Sequence, residues 1–181
     1  MGKLREIRND EVDLMLEWRN APGVRKHMYN QSEIPKPAHI EWWERTKRKD
    51  DCLYYMYEDD QTPTGIVAFT SINRTQANSS WAFYAAPGAP RGTGSMMELL
   101  ALDHAFGALG LHKLHCEVLS SNGAVVRLHE KFGFKIEGVF REQYLRDGDF
   151  IDIIRLGILR KEWETARPAI FTSLSRHRGK S

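Results

Sequence analysis

A short glycine-containing segment, Arg91-Gly92-Thr93-Gly94-Ser95, has the composition of a loop that binds an anion. It lies between a predicted strand that ends near Ala86 and a predicted helix that runs from about Ser95 to Leu109. Glycines allow a tight turn, and the first turn of a helix offers unpaired N–H groups at the positive end of its dipole. Arg91 adds a charge-assisted donor. The segment therefore predicts a pyrophosphate site, with an ordinary strand-to-helix turn as the alternative.

Two other groups of reactive side chains carry no predicted chemistry. His112, His115 and Cys116 are close in sequence, but alternation along a strand sends the two imidazoles to opposite faces, and no second pair has ligand spacing. We therefore predict no metal site. Cys52 and Cys116 lack the cationic, helix-start surroundings that lower a thiol pKa, so we expect neither an acyl-cysteine nor a disulfide framework.

The elements that must position the glycine segment begin with a strand over Leu4–Arg8. Asn9 or Asp10 is predicted to cap the helix that follows, and Pro37 begins a second helix that runs to about Lys49. Three strands joined by short turns then indicate an antiparallel meander. These strands are Cys52–Glu58, Thr64–Asn73 and Ser80–Ala86.

Beyond the glycine segment, helices and strands alternate. A strand over Lys113–Leu119 is followed by a helix from Asn122 to about Gly133, and a last helix begins near Lys161. An Asp-Gly pair joins two closing strands as a hairpin. These strands are Phe134–Leu145 and Asp149–Leu159. The succession predicts one α+β domain over residues 1–168, with a basic, flexible C-terminal tail at 169–181.

The composition excludes several classes of protein. Hydrophobic residues make up 41% and charged residues 28% of the 181 residues, which excludes a disordered or fibrous chain. No apolar run is long enough to cross a bilayer or to act as a signal peptide. A net charge of +2 without a basic block argues against nucleic acid, and two cysteines fit a reducing compartment. We predict a cytoplasmic protein.

Two motifs taken together resemble the GNAT acetyltransferases. They are Arg91-Gly92-Thr93-Gly94-Ser95-Met96, and Asn122-Gly123-Ala124 with His129-Glu130-Lys131-Phe132-Gly133-Phe134. The resemblance extends over nearly the whole chain. It implies an α+β GNAT fold, with a central, mixed but mostly antiparallel twisted sheet of about seven strands flanked by helices and splayed between the fourth and fifth strands.

The resemblance also implies acetyl-CoA as a co-substrate, bound without a metal. Its pyrophosphate would bind Arg91, Gly92, Thr93, Gly94 and Ser95, and Asn122 would contact its amide groups, with helix capping as the alternative role of Asn122. The backbone of Phe83, Tyr84 and Ala85 would line the donor and supply the oxyanion donor. Met96 departs from the family, which usually has Gly or Ala at that position.

Two residues are predicted to move protons in this reaction. Glu117 is the candidate that accepts a proton from the amine, and an ion pair with Lys113 or Arg127 is its alternative role. His129 occupies the position where many relatives have a Tyr that protonates the leaving thiolate. Its unperturbed pKa near neutrality suits that role, and a hydrogen-bonded helix residue near the donor is the alternative.

The acceptor is predicted from weaker local sequence similarities. The regions around Arg19, Tyr29, His39 and Trp42 resemble the GNAT branch that acetylates a UDP-linked 4-amino-4,6-dideoxy sugar in pseudaminic acid biosynthesis. These side chains would bind the nucleotide sugar, although each is equally consistent with packing or surface charge. The alternatives are an acetyltransferase of ribosomal-protein or peptide N-termini and a non-catalytic acyl-CoA sensor. Predicted partners are a small-molecule amine, with no nucleic acid or membrane and with a homodimer as an option.

Overall fold

A computed structural model of the chain describes residues 2–178. The strands are β1 Lys3–Glu6, β2 Leu53–Asp59, β3 Thr62–Asn73, β4 Asn78–Ala85, β5 Lys113–Leu119, β6 Lys135–Arg146 and β7 Asp149–Leu159. The helices are α1 Val12–Asn20, α2 Pro22–Arg25, α3 Lys36–Thr46, α4 Thr93–Phe106, α5 Gly123–Lys131 and α6 Arg160–Arg178. Strands and helices are interleaved along the chain, as predicted for an α+β fold.

The strands form one seven-stranded mixed sheet in the order β1-β2-β3-β4-β5-β7-β6. The β1–β2, β2–β3, β5–β7 and β6–β7 pairs are antiparallel, whereas β4 and β5 are parallel. The β4–β5 register covers three residue pairs, and the last of them joins Ser80 to His115. This short parallel pairing agrees with the splay that was predicted between the fourth and fifth strands.

By its contacts the chain divides into two compact units. The N-terminal unit comprises Met1–Ile72 and Trp81–Leu100, and the C-terminal unit comprises Asn73–Ser80 and Ala101–Ser181. The divisions fall at the last residue of β3, within β4 and within α4. Each unit is described separately below.

In the N-terminal unit, α1 and α3 pack their apolar sides against β2 and β3. The shared core contains Val12, Met15, Trp18, Trp43, Met56 and Ile66. Asn9 and Asp10 lie in a 3-10 turn before α1, and neither is the residue that caps it. The predicted capping role is wrong because Glu11 accepts the Arg8 N–H at 2.9 Å instead. That carboxylate belongs to a buried ion network.

The ion network joins β1, the 3-10 turn and β2. The Arg5 guanidinium donates to both carboxylate oxygens of Glu11, at 2.8 and 2.6 Å, and to Glu58 at 2.6 Å. Arg8 and Lys3 add a cation to Glu11 and Glu58, respectively. Hydrogen bonds from Arg5 are the largest cause that lowers the pKa of Glu11, to about 2. Residues that are distant in sequence are therefore fixed by charge as well as by the apolar core.

In the C-terminal unit, the core lies beneath β5 and β7. It contains Leu114, Phe132, Leu156, Ile158 and Trp163, together with the Cys116 side chain, which is 3% exposed. The α4 residue Asp103 accepts hydrogen bonds from Trp163 Nε1 at 3.0 Å and from the Arg167 guanidinium at 2.6 and 2.8 Å. These contacts attach α6 to the end of α4.

The structure extends one predicted element and confirms one predicted turn. Helix α6 continues to Arg178, so residues 169–178 of the predicted tail are helical, and the remainder lies outside the described residues. Helix α1 ends at Asn20, and Pro22 then begins the short helix α2. The predicted Asp-Gly hairpin is confirmed, since Asp147 and Gly148 adopt φ values of +51° and +92° between β6 and β7.

Between residues 2 and 178, no helix combines the length and the apolar character needed to cross a membrane. The same residues contain no group of three or more His, Cys, Asp or Glu side chains placed to hold a metal ion.

Candidate active site

The glycine segment forms a tight turn into the first turn of α4. Gly92 has a φ of +93°, a conformation that a residue with a Cβ adopts only with strain. The Thr93 N–H and hydroxyl both donate to the Pro90 carbonyl, at 3.1 and 2.8 Å, which fixes the entry of the chain into the helix. A Cβ at Gly92 would meet no atom within 4 Å, so the space beside this turn is open.

The amide groups available at this turn can be identified from its hydrogen bonds. The Met96 N–H donates to the Gly92 carbonyl at 3.1 Å, and the Met96 side chain is only 8% exposed because it packs into the core. Helix geometry leaves the first-turn amides of Gly94 and Ser95 without an intrahelical carbonyl. Arg91 is exposed beside them. The turn therefore has the donors and the positive helix end that an anion requires, and Met96 supplies none of them.

The predicted donor-lining residues of β4 lie in the same unit. Phe83 stacks on Trp81 with ring centroids 5.3 Å apart, and the Tyr84 hydroxyl lies 3.4 Å from the Met15 carbonyl of α1. Burial raises the pKa of Tyr84. Gly65 of β3 permits close packing here, because a Cβ at that position would lie 2.9 Å from the Tyr84 carbonyl. This strand segment is thus held rigidly from two sides.

Three of the predicted residues lie in the C-terminal unit. Asn122 is the N-cap residue of α5, but its side chain makes no capping hydrogen bond, so the amide is available to a ligand. His129 is 3% exposed, and its ring centroid is 5.0 Å from that of Phe134. Glu117 accepts a hydrogen bond from Arg155 at 3.0 Å. This is the ion-pair role that the sequence left open for Glu117, with Arg155 rather than Lys113 or Arg127 as the cation.

The predicted acceptor residues are largely occupied in packing. His39 is 3% exposed and stacks on Trp42, with ring centroids 5.2 Å apart, and Trp42 packs edge-on against Tyr54. Arg19 donates to the Asn30 carbonyl at 2.8 Å, and its second terminal nitrogen is buried and has no hydrogen-bond partner within residues 2–178. Tyr29 is 46% exposed. Their role in substrate binding stays a prediction.

A cleft of about 580 Å³ lies in the N-terminal unit, against α1. It is lined by Asp13, Leu16, Glu17, Asn20, Ala21, Glu33, Lys36 and Pro87. Three of these residues are carboxylates and one is a lysine. This acidic wall was not predicted from the sequence, although Asp13 and Glu17 are four residues apart and so share one face of a helix. That spacing was the signal that could have revealed it.

Comparison with known proteins agrees with the fold and the motifs. Residues 3–135 match the Acetyltransferase (GNAT) domain family. A prophage-derived uncharacterized N-acetyltransferase, YokL of Bacillus subtilis, is 33% identical over 127 residues, which cover 68% of this chain and 71% of that protein. The spermidine N(1)-acetyltransferase of Vibrio cholerae is 31% identical over 112 residues, covering 60% of this chain and 64% of that protein.

Structural similarity extends further along the chain. The crystal structure of a spermidine N-acetyltransferase from Vibrio cholerae in complex with CoA and spermine superposes with a TM-score of 0.85. The superposition covers 90% of this chain and 97% of that one, at 22% sequence identity, which supports the fold. With the family match over most of its length, this chain belongs to the GNAT acetyltransferases.

Proposed function

We propose that the protein transfers an acetyl group from acetyl-CoA to a primary amine of a small polycationic acceptor, of the spermidine class. Three features support acetyl-CoA as the donor: the open turn at Gly92, the first-turn amides of α4, and the exposed Arg91. Asn122, whose side chain caps no helix, is the proposed contact for the pantetheine amides.

The acidic cleft is the observation that supports a cationic acceptor. A UDP-linked sugar carries two phosphates and would require a cationic pocket lined by aromatic rings. The cleft against α1 instead presents Asp13, Glu17 and Glu33, with Lys36 as its one basic lining residue. This charge repels a diphosphate and attracts an ammonium group.

The cations already near these carboxylates do not block an acceptor. Lys36 lies 2.6 Å from Asp13, and Arg25 lies 4.0 Å from Glu33, but both carboxylates are more than half exposed. Exposed ion pairs contribute no more than about 1 kcal/mol each. A polyamine that contacts several carboxylates at once can therefore displace Lys36 and gain more than it loses.

The relatives also support a polyamine as the acceptor. Spermidine N(1)-acetyltransferases of Escherichia coli and Vibrio cholerae match this chain. The match to the Escherichia coli enzyme covers 89% of this chain at 22% identity. The pseudaminic-acid branch predicted from the sequence gains no support from these relatives, and the packing of His39 and Trp42 leaves a nucleobase few free ring faces. A UDP-amino sugar and a peptide N-terminus remain the competing acceptors in the test.

The reaction suggests a role for each of the predicted donor-site residues. A backbone N–H in the Phe83–Ala85 segment would bind the oxyanion of the tetrahedral intermediate, where a fixed donor is worth a few kcal/mol. Asn122 and the Arg91–Ser95 turn would orient the thioester. His129 would assist departure of the thiolate, a step that a thiol's low pKa makes helpful rather than obligatory.

The test compares three acceptors under one readout. The protein is incubated with acetyl-CoA and either spermidine, a UDP-amino sugar or N-terminal peptides, and release of the free CoA thiol is followed. We expect turnover with spermidine. Thiol release with the UDP-amino sugar or the peptides, but none with spermidine, would overturn the proposed acceptor. The absence of thiol release with every one of these amines would favour a non-catalytic acyl-CoA sensor.

Substitutions in the cleft test the acceptor site itself. Glu17→Gln and Glu33→Gln should each raise KM for spermidine about five- to tenfold with little change in kcat, since each removes one charge contact. Glu44→Gln is the control, because Glu44 is a partly exposed carboxylate, paired with Lys47 and Arg48, that does not line the cleft. Equal effects of all three substitutions would exclude the cleft.

A further inference from the structure

A lysine of the chain itself places its ammonium group in the acidic cleft of the N-terminal unit. Lys36, the first residue of α3, lines the cleft, and its ammonium lies 2.6 Å from the Asp13 carboxylate of α1. A lysine side chain is an ammonium group on a flexible four-carbon stem. The aminobutyl arm of spermidine has the same chemistry. The proposed acceptor cleft therefore already contains a group that resembles one end of the proposed acceptor.

The helices that carry this ion pair do not depend on it. Asp13 lies in the first turn of α1, where the positive end of the helix dipole favours a carboxylate. Lys36 begins α3, where the dipole opposes a cation, and the first turn of that helix contains no acidic residue. Both side chains are more than half exposed, and a pair of this kind contributes little to stability. The ammonium of Lys36 can therefore leave Asp13 at small cost.

The other two carboxylates of the cleft are more open to a ligand. Glu17 lies about 6 Å further along α1 than Asp13, and within residues 2–178 its side chain makes no ion pair. Glu33 is highly exposed and lies 4.0 Å from Arg25, the outer limit of an ion pair. A polyamine thus finds Glu17 and Glu33 accessible, whereas it reaches Asp13 only after Lys36 moves away.

The cleft and the proposed donor turn belong to the same compact unit. Pro87 lines the cleft, and it lies between the end of β4 at Ala85 and the start of the turn at Arg91. All of these residues are in the N-terminal unit. Competition for the cleft therefore takes place in the unit that contains the glycine turn.

We propose that Lys36 is a tethered competitor of the acceptor, a role that rests on the proposed acetylation of a polycationic amine. Its ammonium occupies the position beside Asp13 until an ammonium of the acceptor displaces it. A tethered group competes at a high effective concentration, so Lys36 weakens the binding of every acceptor that uses Asp13. Lys36 in this way sets the polyamine concentration at which the cleft fills.

Isothermal titration calorimetry with spermidine tests this role directly. Lys36→Met removes the charge and keeps an unbranched side chain. We expect the Kd of spermidine to fall about three- to fivefold in this variant, which corresponds to the loss of one exposed ion pair. Lys36→Arg retains the cation and should keep the wild-type Kd within about twofold. The KM for spermidine, measured by thiol release, should fall with the Kd in Lys36→Met.

Two further measurements distinguish competition from a structural role. Without Lys36 the lining of the cleft retains three carboxylates and no lysine, so the Kd of spermidine should rise more steeply with sodium chloride in Lys36→Met than in the wild type. The urea midpoint of this variant should equal that of the wild type. Lys47→Met is the control, because Lys47 is a partly exposed lysine, paired with Glu44, that does not line the cleft.

The outcomes separate failure of the inference from failure of the function. If the wild type binds and acetylates spermidine but Lys36→Met has the same Kd, Lys36 does not compete. A higher Kd together with a lower urea midpoint would show that Lys36 instead joins α1 to α3. An equal decrease of Kd in Lys47→Met would assign the effect to the overall charge of the protein. A wild-type protein that neither binds spermidine nor releases thiol with it would refute the proposed acceptor, and the inference would fall with it.

Discussion

At the scale of single residues, Glu11 shows how a buried charge is stabilised in this protein. Its carboxylate is 5% exposed, and it receives hydrogen bonds from Arg5, from the Arg8 guanidinium and from the Arg8 backbone N–H. These donors outweigh the cost of desolvation and lower the pKa of Glu11 to about 2. The charge therefore contributes to folding in a way that depends on pH.

We predict that the stability supplied by Glu11 is lost in acid. The folded-state pKa lies below the unfolded one, so the contribution is complete above about pH 4.5 and declines as the pH falls toward 2. Urea unfolding of the wild type at a series of pH values should show this decline. Glu11→Gln should lower the free energy of unfolding at pH 7 by about 2 kcal/mol and flatten its acid dependence.

The control for Glu11 is a carboxylate on the surface. Glu44→Gln removes an exposed pair with Lys47 and Arg48 and should change the free energy of unfolding by less than about 0.5 kcal/mol. If Glu11→Gln matched this control at pH 7 and kept the wild-type acid dependence, the network would not stabilise the fold.

Residue roles were predictable only where the sequence sets the local geometry. The turn at Gly92 and the position of Asn122 at the start of α5 follow from local pattern, and the structure has both. The Arg5–Glu58 contact joins residues 53 positions apart, and no short-range signal specifies it. Likewise, an ion pair was foreseen for Glu117, but Arg155 as its partner depends on the β5–β7 register.

At the scale of elements, the start of α4 is the proposed binding site of the donor. Gly92 and Gly88 both precede this helix with positive φ values, +93° and +75°, and neither has an atom within 4 Å of a Cβ position. At either position, a residue with a side chain would be strained by the positive φ. Only Gly92 lies within the Arg91–Ser95 turn.

This pair of glycines gives a matched prediction for acetyl-CoA binding. Gly92→Ala and Gly88→Ala should each cost about 1 to 2 kcal/mol of stability, because alanine is strained at positive φ. Gly92→Ala should in addition raise KM for acetyl-CoA about tenfold by shifting the first-turn amides. Steady-state kinetics with varied acetyl-CoA provide the measurement, and equal KM values for the two variants would remove the turn from the donor site.

Element prediction was accurate where hydrophobic periodicity is undisturbed. The predicted bounds of β5 and β7, Lys113–Leu119 and Asp149–Leu159, are those observed. Helix α6 was underestimated because Arg176, His177 and Arg178 at its end form a basic run, which is typical of a solvated tail. Its anchor is the tertiary contact of Asp103 with Trp163 and Arg167, which periodicity cannot reveal.

At the scale of the whole molecule, net charge and local charge have opposite signs. The chain carries a formal charge of +2, yet the cleft proposed for a polycationic acceptor is lined by three carboxylates and one lysine. Attraction at this site must therefore be local, and exposed charges are screened by salt over about 10 Å at 0.1 M. The average charge, on which the sequence analysis relied, carries no information about such a cleft.

We predict that salt weakens binding of the acceptor more than binding of the donor. Raising sodium chloride from 0.05 to 0.5 M, a range of about ten in concentration, should increase KM for spermidine severalfold, since the cleft carboxylates are exposed. The same series measured with Glu17→Gln should have a shallower slope. Parallel slopes for the wild type and this variant would contradict an electrostatic acceptor site.

The reactivity of the buried cysteine of β5 reports local unfolding of that strand. Cys116 is 3% exposed in the core of the C-terminal unit, whereas Cys52 is half-buried with a pKa that burial raises. A thiol reacts with a disulfide reagent only when it is ionised and accessible, so Cys116 reacts only after local unfolding exposes it. The slow phase of thiol labelling therefore gives the free energy of the local unfolding that exposes Cys116. Because that phase is slow, Cys116 contributes little signal to an assay of the released CoA thiol.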